Sequence, residues 1–113
     1  MEKYFVTYNQ SLALKELGFD EPCFGWYHPK GNIIYAITTD KDCIVNAPLK
    51  SQVFEWFRKQ GYDTKVEKES EGLYFGFYWT GAAWIIVGNG SYEEAESACI
   101  DKLIVILKEN GNI

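Results

Sequence analysis

The chain has 113 residues, 47% of them hydrophobic, 24% charged and 17% aromatic, with a formal net charge of −5. A chain of this length removes roughly two thirds of its unfolded surface from water, so one domain spanning residues 1–113 needs neither disulfide nor metal to fold. The acidic balance, a single arginine (Arg58) and lysines scattered one at a time from Lys3 to Lys108 exclude a broad, sequence-independent grip on phosphate backbones, which requires clustered cations.

Thr7-Tyr8-Asn9-Gln10 has the form of a capping box, in which hydroxyl and amide side chains satisfy the free amides of a helix start. The helix that follows should turn Ala13, Leu14 and Leu17 inward and end near Leu17, with Gly18 as its left-handed stop and Phe19 packing back onto it. Cys23–Tyr27 and Ile33–Thr38 read as two strands of a hairpin around Pro29-Lys30-Gly31-Asn32. Cys43–Val45 is a brief strand or the lead-in to a helix. Pro48 suits the first turn of that helix, capped by Asn46 or Ala47. Its stripe is Leu49, Val53, Trp56 and Phe57, its wet side Lys50, Glu55, Arg58 and Lys59, and its end Gly61.

Three strands follow: the polar segment Asp63–Ser70, then Leu73–Trp79, then Trp84–Gly88, with Glu71-Gly72 and Thr80–Ala83 as connections. Such short connections predict an antiparallel meander, and the lysine-bearing first strand suits an edge. Ser91-Tyr92-Glu93-Glu94 is a second capping box with an acidic first turn, complementing the positive end of the helix dipole. This last helix should run from Tyr92 to about Glu109 and bury Ala95, Cys99, Leu103, Ile106 and Leu107. The fold class expected is therefore α+β: an antiparallel sheet of about five strands with three helices packed mainly on one face.

No apolar stretch approaches the ~18 residues needed to span a bilayer, and the amino terminus has no apolar leader segment, so no membrane association and a cytoplasmic location are expected. Cys23, Cys43 and Cys99 stand far apart, which suits reduced thiols. With His28 they sum to a zinc set in number only: structural zinc takes closely spaced ligand pairs, and Cys99 falls on an apolar helical stripe. Cys23 and His28, five positions apart on an extended strand, lie about 16 Å apart, too far for a nucleophile and its base. Asp40-Lys41-Asp42 reads as a turn, and Glu93, Glu94 and Glu96 as dipole complement. Gly88-Asn89-Gly90 before Ser91 is a weak anion site opposed by the glutamates behind it. No metal, cofactor or catalytic set is expected.

The aromatic strand Tyr74-Phe75-Gly76-Phe77-Tyr78-Trp79 superficially resembles the base-stacking strand of RNA recognition modules, without its basic residue. Alternation places Leu73, Phe75, Phe77 and Trp79 on one face, read as core beneath the helices, and Tyr74, Gly76 and Tyr78 on the other. Tyr74 and Tyr78, joined by Trp26 or Trp84 from neighbouring strands, form the expected binding surface.

The segments "NAPLKSQVFEWFRKQGY" and "SYEEAESACIDKLIVIL", and more loosely "ALKELGFDEPC", resemble small uncharacterised proteins of prophages and mobile elements of gut Bacteroidetes. The shared motifs are helix starts and apolar stripes, so the resemblance implies a mobile-element origin and no activity. The expected function is a non-enzymatic protein-interaction module that self-associates or binds a protein partner. The alternative is a nucleic-acid-directed accessory protein, acting by single-strand binding through the aromatics or by acidic mimicry of DNA.

Overall fold

The computed structural model describes residues 2–23, 25–27, 33–34 and 45–110. The chain divides into two compact units, residues 1–53 and 54–113.

In the first unit a short 3-10 turn, Glu2–Tyr4, leads into helix α1, Tyr8–Glu16. The capping box forms as expected. Gln10 N–H donates to Thr7 Oγ1 (3.1 Å) and Thr7 N–H to Gln10 Oε1 (2.9 Å). At the other end Gly18 takes φ +97°, Gly18 N–H bonds the Lys15 carbonyl, and Phe19 N–H reaches back to the Leu14 carbonyl. That is a Schellman stop, and it buries Phe19. Strand β1 (Gly25–Tyr27) lies between β2 (Ile33–Ile34) and β3 (Val45–Ala47), both antiparallel to it, with Trp26 opposite Ile34 and Asn46. Phe5, Tyr27 and Ala47 form a buried cluster with Tyr8, Leu12, Ile33 and Leu49 packed around it. The Tyr27 hydroxyl donates to the Val6 carbonyl inside this core.

Helix α2, Lys50–Lys59, starts later than its proline suggests. Pro48 lies before the helix, fully buried, and its carbonyl accepts the Val6 N–H (3.1 Å), so it is held by pairing rather than placed in a helical turn. The Gln52 side chain accepts the Leu49 N–H instead (3.3 Å). Val53 and Phe57 are fully buried on the expected stripe; Lys50, expected on the wet side, is buried at the first helical position. Gly61, at φ +91°, closes the helix: its N–H bonds the Arg58 carbonyl and Tyr62 N–H the Phe57 carbonyl.

The second unit holds β4 (Thr64–Ser70), β5 (Leu73–Trp79), β6 (Trp84–Gly90) and helix α3 (Tyr92–Asn110). The strands form the expected antiparallel meander in the order β4-β5-β6. Gly72, at φ +74°, makes the first turn; the Thr80 hydroxyl accepts the Ala82 and Ala83 amides across the second. The Ser91 capping box closes with Glu94 N–H on Ser91 Oγ (3.1 Å) and Ser91 N–H on Glu94 Oε1 (2.9 Å). The Ser91 amide, and after it the Ser91 side chain, hold the Glu94 carboxyl below its ordinary pKa.

The fold is α+β, with three α-helices among the described residues as expected, but the expected sheet of about five strands is not one sheet. The strands make two antiparallel sheets, β2-β1-β3 and β4-β5-β6. Local pairing decides this: β1 has a partner on each side, and the meander is closed through two tight turns. The charged strand β4 stays an edge and takes no further partner among the described residues. His28 and Cys43, the turns at 29–32 and 40–42, and residues 35–38 of the expected second strand lie outside the described residues.

Candidate functional site

The site is built on the β4–β6 sheet, whose two faces are opposite to the expectation. A methyl group added at Gly76 would lie 2.7 Å from the Ala95 carbonyl oxygen and 2.8 Å from the Cys99 sulfur, both on α3. Gly76 therefore faces the helix, and so does the set that alternates with it, Tyr74 and Tyr78. A methyl at Gly88 would overlap the Ala98 methyl, and one at Gly90 would meet the Glu94 side chain. Three glycines thus make a hollow in the sheet, and Ala95, Ala98 and Cys99 make the ridge of α3 that fills it. Tyr74, expected in an open patch, packs edge-on against Tyr92 in the first turn of α3, ring centres 5.4 Å apart.

The side chains read as core occupy the other face. Phe75 and Phe77 stand edge-to-face at 6.4 Å, and Trp79 pairs with Trp84 across the strands at 5.2 Å. Ile86 stands opposite Phe77, and Lys65 of β4 opposite Phe77 on its other side. The Lys65 ammonium sits 4.5 Å from the Trp84 ring centre and 5.2 Å from that of Phe77, and 2.8 Å from the Glu67 carboxylate. Phe75, Phe77 and Trp79 are half-buried, while Trp84 and Ile86 are exposed. The result is a contiguous aromatic surface with one cation held over it by two rings.

Of the four residues expected to form the surface, only Trp84 lies on it. Tyr74 and Tyr78 are on the helix side. Trp26 belongs to the first unit, where it lines a cleft of about 450 Å³ with Ser11, Lys15, Phe19 and Asn46. Ser11 Oγ and Asn46 Oδ1 are buried there without hydrogen-bond partners among the described residues, and both oxygens are occluded from solvent, so they offer an arriving ligand no open contact. The face of Phe75 and Phe77 could have been found by matching glycines to small helix residues: Gly76 on β5 answers Ala95 and Cys99 on the helix, and Gly88 on β6 answers Ala98.

The chemistry of the thiols fits structural roles. Burial pushes the Cys99 thiol up to about 11. Burial, with Glu21 nearby, takes Cys23 to about 11 as well. Both stay protonated at neutral pH, the unreactive form. Among the described residues no group of histidine, cysteine or carboxylate side chains could hold a metal ion, and no helix is long and apolar enough to cross a membrane. Comparison of the chain with protein-family models, with curated proteins and with solved structures returned no match.

Proposed function

We propose that the chain is a non-enzymatic protein-interaction module that docks a protein partner on the open face of β4–β6. The observation that carries the proposal is the aromatic surface made by half-buried Phe75, Phe77 and Trp79 with exposed Trp84 and Ile86, on the face of the sheet opposite the helix. Rigid aromatic side chains lose little freedom on binding and dominate the energetics of interfaces, and a sheet supported from behind presents them in fixed positions. The partner expected is a protein with an apolar patch of similar breadth, rimmed by polar groups that meet Lys65, Glu67 and the rest of β4. The mobile-element origin suggested by the helix motifs belongs to the same proposal. In affinity capture, Phe75→Ser with Trp84→Ser should lose the partners held by the wild type while circular dichroism stays unchanged. Retention of every partner by that folded double variant sinks the reading.

One observation favours a second reading, single-stranded nucleic acid on the same face. Phe75 and Phe77 are spaced two residues apart on the middle strand with the Lys65 cation alongside, an arrangement on which bases can stack. The net charge of −5 opposes it. Fluorescence anisotropy with short single strands at low salt decides between the two, since no binding there removes the second.

A further inference from the structure

The two edges of the β4–β6 sheet are chemically unlike. Along β4 stand Lys65, Glu67, Lys68 and Glu69, with ion pairs Lys65–Glu67 and Lys68–Glu71, each 2.8 Å. Charges of this density make an edge a poor template for another strand. Strand β6 carries none. From Gly72 to Tyr92 no side chain is charged, in a chain where 24% of residues are. Trp84, Ile85 and Ile86 are exposed one after another, by 39%, 41% and 58%. Successive side chains of a strand point to opposite faces, so exposure of three in a row means that both faces are open at this edge. A neighbouring strand would cover both.

We infer that β6 pairs with β6 of a second copy of this chain, antiparallel, about a two-fold axis at Ile85. Three facts select this occupant and this register. Paired residues on antiparallel strands must share a face, which restricts the axis to a residue rather than a gap between residues. Val87 is an extra residue on β6, where pairing with β5 steps from Gly76–Gly88 to Phe77–Ile86. That bulge divides the edge into Trp84–Ile86 and Gly88–Gly90; only the first stretch carries apolar side chains, and only an axis at Ile85 uses all three of its residues. It sets Trp84 of each copy against Ile86 of the other on the aromatic face, an aromatic–β-branched pair, and Ile85 against Ile85 on the helix side. Two chains of charge −5 repel, and this charge-free edge lets them meet where no like charges face. The resulting sheet runs β4-β5-β6-β6-β5-β4 and joins the two aromatic surfaces side by side. The pairing goes beyond the docking role proposed above and stands without it.

Sedimentation equilibrium on the wild type, at concentrations up to about 1 mM to capture weak association, should show the mass rising from 13.0 kDa toward twice that value. Over the same range those amides of Trp84–Ile86 that point away from β5 should gain protection from hydrogen exchange. Ile85→Lys and Ile85→Glu, each folded by circular dichroism, should weaken the dimer at least about tenfold. An equimolar mixture of the two should restore it, because the opposite charges meet at the axis. A wild type that stays at 13.0 kDa throughout overturns the inference and leaves the docking reading intact, since Phe75 and Phe77 are untouched. A dimer that ignores charge at Ile85, or a mixture that does not recover, overturns the β6 register.

Discussion

On β5 the rings of Phe75 and Phe77 stand on one side of the sheet and Gly76 turns to the other, yet it is the glycine side that α3 covers. Hydrophobicity alone would have chosen the phenylalanines. Fit chose otherwise: the hollow of Gly76, Gly88 and Gly90 lets the helix come close enough for Ala95 and Cys99 to touch the strands, so that the contact is made by backbone and small groups. A wide aromatic face offers no such approach to a small-residue helix. Apolar character makes burial favourable, and shape decides which of two candidate faces is buried by the chain itself.

The sharpest way to break the comparison is to fill the hollow. Gly76→Val should destabilise the protein by about 3 kcal/mol, since even one methyl there falls within 2.8 Å of Ala95 and Cys99 atoms, one of them backbone. Urea denaturation measures it, and a loss below about 0.5 kcal/mol, the range of ordinary surface changes, would refute close approach by α3.

Next in size comes the pH dependence of the same contact. Cys99 ionises at 9.0 when free and at about 11 in place. A raised pKa means that its contribution is fully present below pH 9 and is lost as pH climbs from 9 to about 11. Cys99→Ala should therefore lose stability less steeply than wild type across that window, and equal slopes in the two proteins would show that the thiol is not held dry.

Ser91→Ala removes the hydroxyl that accepts the Glu94 amide and should cost about 1 kcal/mol, read as a lowered thermal midpoint. The smallest effect belongs to the open face. Ile86→Ser should change monomer stability by no more than about 0.5 kcal/mol, measured in dilute solution, because the side chain is already 58% exposed. A loss near that of Gly76→Val would mean that the aromatic face is covered.

Much of the fold was legible because it rests on local chemistry. Thr7 and Ser91 capped helices as read, Gly18 and Gly61 ended them, and the turns at Gly72 and Thr80–Ala83 produced the meander. Sheet membership was not legible, since nothing in β1 or β4 alone says whether they share a ladder. The faces of β5 were misread for a related reason. Hydrophobicity alone assigns Leu73, Phe75, Phe77 and Trp79 to the core, whereas the deciding feature, a matched hollow and ridge, is divided between two strands and a helix. Trp84 lies across from Trp79 on the open face, whereas Tyr74 and Tyr78 share the helix side with Gly76.

The overlap that a side chain at Gly88 would make with the Ala98 methyl gives the lineage of this protein a constraint of its own. Position 88 cannot gain a side chain while 98 keeps its methyl. Alanine at 88 becomes tolerable once 98 has become glycine, so the two should change together among descendants, and that paired trace would mark true relatives even where the aromatic face has been rewritten for a new partner.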